Sequence, residues 1–221
     1  MKFEQKISCI ISAYNEEKNL SRVLGAIKDL KWIDEILVVD DASEDKTLEI
    51  AQSFKLKNLK IIKHAKNRGK GAAMATGAKL AKHNLLLFLD ADLVGLKEEH
   101  LLKILSPIIF TREANLALGV FGLKKLNVRT GTKFANRMFP SITGQRAIWR
   151  KFLPPLQRLQ KSRWGADLLI TKNIPRKQRA IVKLNGLAQV RKEEKTDLVM
   201  EAIKARIKMY QEVTRVLKEE P

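Results

Sequence analysis

The chain is short of cysteine and of long apolar runs, and each shortage excludes a class of protein. Of 221 residues only one, Cys9, is a cysteine, so no disulfide can form within the chain and a reducing compartment is expected. No stretch approaches the roughly 18 to 20 apolar residues that a membrane-spanning helix needs. Residues 1–6 lack the apolar core of a signal peptide. We therefore expect a cytoplasmic protein in which Cys9 is a buried structural residue.

Familiar ligand-binding patterns are missing as well. No G-x-G-x-x-G follows the first strand-like segment, which excludes a dinucleotide fingerprint and argues against a nucleotidyltransferase with a glycine-rich loop. The sequence Gly-Lys-Gly at 69–71 lacks the frame of a P-loop. The three histidines, His64, His83 and His100, have no metal-ligand spacing. We expect them at the surface.

Acidic residues are scarce in one part of the chain. The formal net charge is +19, and residues 120–192 hold 18 lysines and arginines against a single acid, Asp167. Because solubility does not require such segregation, this basic segment indicates a polyanionic partner: a phosphorylated substrate, an anionic membrane surface or nucleic acid. Aromatic residues are few there and no nucleic-acid motif is recognisable, so a nucleic-acid-binding module is the weaker alternative.

Short apolar segments alternate with amphipathic ones through the first 92 residues. Strands are predicted at 7–12, 36–39, 59–62 and 85–90, and helices at 15–27 with Asn15 as N-cap, at 45–54 and at 72–82. Strands that alternate with helices of about 10 to 15 residues indicate βαβ units. The fold class is therefore α/β, with a Rossmann-like, mostly parallel sheet flanked by helices.

The pattern is looser after residue 92. The segments predict a helix at 98–105 that Pro107 stops, a strand at 115–121, a basic segment at 124–138 compatible with a helix, a helix that opens near residue 163, a strand at 179–184 and a long C-terminal helix at 193–219. The last helix has a rough apolar stripe and a polar face without a clear basic bias. It is more typical of a packing or dimerisation element than of a membrane-surface helix, which is the alternative.

Two carboxylates at the end of one buried strand are the main functional signal. Residues 85–89 are continuously apolar, as in a strand covered on both faces, and Asp90 and Asp92 follow directly. Side chains at i and i+2 of an extended segment point the same way, so the two carboxylates can converge on one cation. Hard oxygen donors suit Mg²⁺ or Mn²⁺ with substrate phosphates in the shell. Alternatively, the pair only caps the next helix or is solvated.

Polar residues end two further predicted strands, at 14–17 and 40–41. The carboxyl ends of parallel strands lie on one edge of a sheet, so these clusters and the Asp90–Asp92 pair are expected to share one crevice. Arg68 and Lys70 precede a helix, whose N-terminus is a reasonable anion site. The neighbouring glycines alternatively serve only to let this helix pack closely on the sheet.

Four motifs together resemble the family-2 glycosyltransferases of GT-A fold. They are the segments at 10–17 (IISAYNEE), 38–43 (VVDDAS), 67–72 (NRGKGA) and 90–92 (DAD). The resemblance is close over residues 7–92 and looser over 140–192. In the second region, Gly-Gln-Arg-Ala at 144–147 with Arg150 is similar to the acceptor-side segment of polyprenyl-phosphate mannosyl- and glucosyltransferases and of glucosyl-3-phosphoglycerate synthases.

The resemblance implies a metal-dependent transferase that moves a sugar from a UDP- or GDP-sugar to a phosphorylated acceptor. The acceptor would be polyprenyl phosphate at the inner face of the membrane or, alternatively, a small soluble acid such as phosphoglycerate. Residues 1–192 would form one domain, with a nucleotide-binding half at 1–92, an acceptor-binding half at 93–192 and a helical tail at 193–221. The implied nucleotide-sugar ligands are Ala13, Tyr14, Glu16, Asp40, Asp41, Lys70, Asp90 and Ala91, and the implied ligands of Mg²⁺ or Mn²⁺ are Asp90 and Asp92.

Two departures from the family pattern concern the same site. Ser12 stands where the family usually has proline, which removes no chemistry. Gln189 stands near the position where some relatives carry a histidine that completes the metal shell. An amide oxygen can still bind Mg²⁺ directly or through water, so Gln189 is the candidate third ligand.

Asp167 is the candidate catalytic residue of the second half. An inverting transferase needs a base for a hydroxyl acceptor, and a carboxylate can serve. A phosphate acceptor is already anionic and needs little base catalysis, so Asp167 is alternatively a salt-bridge hub or orients arginines. Arg146, Arg150 and Arg163 are candidates for the acceptor phosphate because guanidinium groups bind phosphate bidentately. Alternatively, these arginines only form part of a solvated basic surface.

Overall fold

A seven-stranded sheet forms the centre of the molecule. The computed structural model describes residues 3–122, residues 143–190 and Gln211. The strands are β1 (Ile7–Ala13), β2 (Glu35–Asp40), β3 (Leu59–Lys63), β4 (Leu85–Asp90), β5 (Leu93–Val94), β6 (Leu116–Phe121), β7 (Arg146–Trp149), β8 (Arg179–Leu184) and β9 (Ala188–Gln189). The large sheet has the order β3-β2-β1-β4-β7-β6-β8, and β5 pairs with β9 in a small separate ribbon.

All neighbouring strands of the large sheet run parallel except β7, which is antiparallel to β4 and β6. The α/β fold with a mostly parallel sheet is confirmed. Strand β7 was not predicted, because a four-residue strand that begins with a buried arginine has no apolar run to reveal it.

Helices cover both faces of the sheet. They are α1 (Leu20–Ile27), α2 (Thr47–Ser53), α3 (Lys70–Leu80), α4 (Glu98–Ile109), α5 (Leu156–Lys161) and α6 (Ala166–Lys172). Because side chains alternate along a strand, Cys9 and Ile11 of β1 join the core shared with α1, α2 and α4, whereas Ile10 joins the core shared with α3, α5 and α6. Cys9 is fully buried, as predicted, and burial raises the pKa of its thiol.

Helix α3 lies close to its neighbours because six of its seven buried residues are glycine or alanine. Gly71, Ala72 and Ala73 are all buried in its first turn. A Cβ at Gly71 would collide with the backbone of α5 at Leu159 and approach Ser162 Oγ to 2.7 Å. Gly71 therefore serves close packing, as the alternative interpretation held, but against α5 and the residues after it and not against the sheet. The close approach also brings Lys70, the first residue of α3, against the segment that follows α5.

Helix α1 begins at Leu20 and not at Asn15. Asn15 instead adopts a left-handed conformation, with φ of 54°. Its backbone N–H donates to Ser43 Oγ at 3.0 Å, and its side-chain oxygen accepts from the Glu44 backbone N–H at 2.9 Å. A residue type that favours a helix N-cap also favours a tight turn. Here Asn15 joins the loop after β1 to the loop after β2 through these two hydrogen bonds.

Helix α4 continues through Pro107 to Ile109, so the predicted stop at this proline is wrong. Pro107, Ile108 and Ile109 are all buried. Proline removes one hydrogen bond from the last turn, and the apolar burial of that turn outweighs the loss.

The basic segment at 124–138 lies outside the described residues, and so does the helix predicted at 193–219 except for Gln211. Within the described ranges, none of the helices combines the length and apolarity required to cross a bilayer.

Candidate active site

The carboxyl ends of β1, β2 and β4 lie side by side at one edge of the sheet. Ala13 is paired with Asp40, and Ser12 is paired with Asp90. This register places the polar segments that follow the three strands at the same edge, as the parallel-sheet argument predicted.

Asp90 and Asp92 converge although the strand ends between them. Residues 91 and 92 form a turn, and the Gln189 side-chain nitrogen nevertheless reaches both carboxylates, at 3.2 Å from Asp90 Oδ2 and 2.8 Å from Asp92 Oδ1. Pairing of β5 with β9 fixes this contact, since Leu93 is opposite Gln189 in that ribbon. Gln189 therefore stands beside the carboxylate pair, with its amide nitrogen towards them. A role as metal ligand would use the amide oxygen, which a half turn of the amide group exchanges with the nitrogen.

Lys70 joins the two halves of the chain at the same point. Its ammonium lies 2.7 Å from Asp90 Oδ1 and 2.7 Å from Asp167 Oδ2. Burial by itself lowers the pKa of Lys70, but the charges of Asp167 and Asp90 and the hydrogen bonds to them outweigh burial and raise the pKa. Lys70 is therefore a permanent cation over the physiological pH range.

Arg146 lies behind Asp167 and is fully buried. One Arg146 terminal nitrogen is 2.9 Å from Asp167 Oδ1, an ion-pair contact without hydrogen-bond alignment. The guanidinium also donates to the backbone carbonyl of Asp167 at 2.6 Å and to the carbonyl of Thr143. Burial lowers the pKa of Arg146, and the nearby Asp167 and Asp90 oppose that shift. Arg146 is thus enclosed by protein, and the prediction that it contacts the acceptor phosphate is not supported.

Asp41 organises the loop that leads into α3. Its carboxylate accepts hydrogen bonds from the backbone N–H groups of Arg68, at 3.0 Å, and of Gly69, at 2.7 Å. It also lies 2.6 Å from His64 Nδ1, and His64 Nε2 lies 3.0 Å from Thr76 Oγ1. Asp41 therefore holds the turn that presents Lys70.

Two histidines that were expected at the surface, His64 and His100, are buried. Each has hydrogen-bond partners on different parts of the chain, such as the backbone carbonyl of Asn185 at 2.9 Å from His100 Nε2. The sequence contains no short-range pattern that reveals partners so far apart.

The remaining residues predicted for the nucleotide sugar lie near this edge. Tyr14 is among the exposed large side chains, whereas Ala13, Glu16 and Ala91 are buried. Asp40 is fully buried, and its carboxylate accepts from the Ser43 backbone N–H at 3.3 Å.

The structure separates Arg150 from this group. Its guanidinium donates to the carbonyl of Ala78, to the carbonyl of Ala81 at 2.6 Å and to the carbonyl of His83 at 2.8 Å. These carbonyls belong to the end of α3 and the turn after it, where helix C-termini leave acceptors unsatisfied. Because the guanidinium is already engaged there, these contacts favour a capping role for Arg150, and its acceptor role stays a prediction.

Arg163 lies next to the turn that carries Lys70. Its Cβ would be 3.2 Å from a Cβ built on Gly69. Its backbone has φ of 43°, which is unusual for a residue other than glycine. Of the three predicted acceptor arginines, Arg163 is the one that the structure brings beside the turn of Lys70 and leaves partly exposed.

Gln145 and Gly144 are site residues that the sequence pattern did not assign to this carboxylate. Gln145 donates from its side chain to Asp90 Oδ2 at 2.7 Å. A Cβ at Gly144 would collide with the Asp90 carboxylate. The family resemblance of 144–147 marked the segment, but β7 had to be placed beside β4 before its contact with Asp90 could be seen.

The donor set at this edge suits a hard divalent cation. Asp90 and Asp92 supply carboxylate oxygens and Gln189 an amide, and such oxygen ligands match Mg²⁺ and Mn²⁺. In the described parts of the chain no group of three or more His, Cys, Asp and Glu side chains is arranged to hold a metal. Any metal here would therefore have few protein ligands and would take its others from a bound ligand or water.

A sheet edge with paired carboxylates, a buried lysine and a helix N-terminus is typical of α/β enzymes that handle phosphorylated ligands. Residues 8–164 match the model of the family described as Glycosyl transferase family 2. The chain belongs to this family, as the four motifs indicated.

Relatives of known name include transferases that act on polyprenyl phosphates. The chain is 41% identical over 93 residues to dolichol-phosphate mannosyltransferase of Pyrococcus furiosus, covering 40% of this chain and 26% of that protein. It is 35% identical over 159 residues to undecaprenyl-phosphate 4-deoxy-4-formamido-L-arabinose transferase of Photorhabdus laumondii, covering 66% of this chain and 47% of that protein. The aligned region is thus about half the length, or less, of these relatives.

Solved structures of glucosyl-3-phosphoglycerate synthase from Mycobacterium tuberculosis share the fold. The complex of that enzyme with Mn²⁺, UDP-glucose and phosphoglyceric acid superposes with a TM-score of 0.71 at 19% identity, over 97% of this chain and 79% of that one. Its complex with Mg²⁺ and UDP also gives a TM-score of 0.71, at 18% identity. The predicted GT-A fold is therefore confirmed.

Proposed function

We propose that the protein is a metal-dependent glycosyltransferase that moves a sugar from a nucleoside-diphosphate sugar to a phosphorylated acceptor. The observation that carries the proposal is the convergence of Asp90 and Asp92 on one amide nitrogen of Gln189, with the Lys70 ammonium 2.7 Å from Asp90. Transfer from such a donor releases a nucleoside diphosphate, and positive charge at the diphosphate stabilises that leaving group.

Asp90 and Asp92 are the residues proposed to hold Mg²⁺ or Mn²⁺, with Gln189 as a third ligand through its amide oxygen. When bound, the metal would act as a Lewis acid that neutralises charge on the diphosphate. Lys70 adds a fixed cation beside it, supported by the raised pKa of its ammonium. The names of the structural neighbours, which include Mn²⁺ and Mg²⁺ complexes with UDP, agree with this assignment.

The loops after β1 and β2 are proposed to hold the nucleoside. Tyr14 is exposed at the end of β1 and offers an aromatic face to a base or ribose. Asp40 ends β2 and Asp41 follows it, and Asp41 fixes the turn at Arg68 and Gly69 that carries Lys70. We accordingly assign residues 1–92 to the donor and residues 93–192 to the acceptor, with 193–221 as a tail.

For the acceptor we propose polyprenyl phosphate at the inner face of the membrane. Two relatives bear names of polyprenyl-phosphate transferases, and the 18 basic residues between 120 and 192 favour an anionic surface. Arg163 is the candidate ligand of the acceptor phosphate. A small phosphorylated acid is the second candidate, favoured by the phosphoglycerate complexes of the structural neighbours.

The nucleotide of the donor can be identified by measuring the melting temperature of the protein with UDP- and GDP-sugars, each with and without Mn²⁺. We expect one nucleotide sugar to raise the melting temperature only when metal is present, because ligand binding stabilises the folded state by mass action. Asp92→Ala should abolish this shift.

Asp29→Ala is the matched control, since Asp29 is exposed and precedes β2 at the opposite edge of the sheet. It should leave the shift unchanged. An Asp92→Ala protein that is stabilised as strongly as the wild type would show that the metal assignment is wrong.

A further inference from the structure

Asp167 has both carboxylate oxygens next to cations. Oδ2 is 2.7 Å from Lys70 Nζ, and Oδ1 is 2.9 Å from a terminal nitrogen of Arg146. The side chain is only 7% exposed. Its position is fixed further by Arg146, which also donates to the Asp167 backbone carbonyl at 2.6 Å. The carboxylate is therefore tied to one cation from α3 and one from β7.

This geometry is unsuited to a general base. A base needs an oxygen that faces the acceptor group whose proton it takes. Both oxygens of Asp167 face protein cations instead, and the sequence-based assignment of Asp167 as the base is not supported.

Lys70 is shared between the two halves of the chain. Asp90, one of the two carboxylates that the proposed function assigns to the metal, contacts its ammonium from the end of β4, and Asp167 contacts it from α6. Lys70 is largely buried, with 17% of its side chain exposed. If a buried ammonium moves away from one carboxylate, a second carboxylate must still neutralise its positive charge.

We infer that Asp167 is a positioning residue, which holds Lys70 so that its ammonium can exchange Asp90 for the diphosphate of the donor. With the donor bound, Asp90 would be free to hold the metal while Lys70 pairs with the phosphates, and Asp167 would stay paired with Lys70. Arg146, fixed from behind by Thr143 and Asp167 itself, keeps the carboxylate in place. This role rests on the proposed function, because it presumes a diphosphate ligand at Lys70.

The affinity of the protein for the free nucleoside diphosphate tests this role of Asp167, because binding can be measured without sugar transfer. The probe is UDP or GDP, whichever stabilises the wild type, titrated calorimetrically in the presence of Mn²⁺. Asp167→Asn should weaken binding about tenfold or more, the usual effect of losing a hydrogen bond to a charged group.

The sign of the change distinguishes the alternatives. A base acts only on the acceptor, so its loss would leave nucleotide affinity unchanged. A carboxylate that acted only through its negative charge would oppose an anion, so its neutralisation would tighten binding. Either result would overturn the inference.

A double-mutant cycle identifies Lys70 as the group through which Asp167 acts. Lys70→Gln should weaken nucleotide binding, and adding Asp167→Asn to it should weaken binding little further, because the two residues share one interaction. Independent effects that simply add would contradict the inference. Asp29→Asn, at an exposed aspartate, is the matched control and should bind like the wild type.

A second measurement needs no variant, in case Asp167→Asn fails to fold. Acetylation of lysines in the native wild-type protein, followed by mass spectrometry, compares the partly buried Lys70 with the exposed Lys63. Lys70 should react at least about tenfold more slowly, because burial and the contacts with Asp90 and Asp167 shield its amine from the reagent. Equal rates would show that the ammonium is not held between the carboxylates.

Failure of the inference and failure of the proposed function give different results. If the wild type binds no nucleoside diphosphate with Mn²⁺, the proposed function is wrong. If the wild type binds and Asp167→Asn binds as tightly, only the role of Asp167 is wrong.

Discussion

The Asp90 carboxylate can occupy its position only because residue 144 is glycine and has no Cβ. Any larger side chain at Gly144 would collide with that carboxylate. Asp90 simultaneously contacts Lys70 and accepts a hydrogen bond from Gln145 at 2.7 Å. A displaced Asp90 therefore loses its partners as well as its alignment with Asp92.

Gly144→Ala should consequently reduce sugar transfer by about 100-fold, the order of loss that follows from moving a reacting or ligating group by about 1 Å. Initial rates with the nucleotide sugar identified by thermal shift measure the effect.

Gly25→Ala is the matched control, because a Cβ at Gly25 meets nothing within 4 Å. Since Gly25 lies within α1, alanine there should stabilise the protein by about 0.5 to 1 kcal/mol and leave transfer unchanged. Wild-type rates in Gly144→Ala would show that Asp90 need not occupy this position.

Single residues differ in how much of their role the sequence reveals. The Asp90–Asp92 pair and Lys70 could be predicted, because each sits at the boundary of a strand or helix that local periodicity locates. The burial of His64 and Arg146 could not be predicted, because their partners lie on other elements, 23 residues away for His64 and Asp41. Asp167 was located as the lone acid of a basic segment, but its ion pairs depend on how α6 meets α3.

At the scale of secondary-structure elements, a residue from another part of the chain donates hydrogen bonds to the carbonyl groups at the C-terminal end of α3. Arg150, immediately after β7, donates to the carbonyls of Ala78, Ala81 and His83. A cation at a helix C-terminus satisfies orphan carbonyls and complements the helix dipole.

Arg150→Ala should therefore lower the free energy of unfolding by about 1 to 2 kcal/mol, with the Michaelis constants for donor and acceptor unchanged. Urea denaturation and steady-state kinetics provide the two measurements.

The adjacent Lys151→Ala is the control, since Lys151 is exposed and lies 5.0 Å from the ring centre of Phe152. Its effect on stability should stay within about 0.5 kcal/mol. An Arg150→Ala protein with normal stability and a weakened acceptor interaction would support the original prediction for Arg150.

Elements with a strong apolar period were predicted well, and elements defined by tertiary contacts were not. The prediction of β4 is confirmed to the residue, and that of β6 to within one residue. Strand β7 was missed because a buried arginine opens it, and α4 was cut short because Pro107 was weighed without the apolar burial around it. Local propensity is a weak prior that packing overrides.

At the scale of the whole molecule, the alternation of strands and helices determined the sheet, and the sheet determined where the site lies. The fold and the edge that carries the site could be predicted because parallel strands with crossover helices admit few topologies. The placement of the single antiparallel strand β7 between β4 and β6 required the structure.

The uneven charge of the chain bears on the acceptor. With 18 of its basic residues between 120 and 192, the protein should bind vesicles that contain anionic lipid, and binding should fall as salt is added. Transfer assays should then give a lipid-soluble product from polyprenyl phosphate in such vesicles. Product formed only from 3-phosphoglycerate, with no vesicle binding, would favour the soluble acceptor.

The central claim is that Asp90 and Asp92 hold a divalent cation together with a nucleoside diphosphate, and electron paramagnetic resonance of Mn²⁺ tests it most directly. Titration of Mn²⁺ into the wild-type protein with UDP or GDP should reveal one bound ion per chain, whose affinity rises when the nucleotide is present. Asp92→Asn should abolish this bound signal, whereas Asp29→Asn should retain it. An Asp92→Asn protein that binds Mn²⁺ and nucleotide as the wild type does would contradict the account.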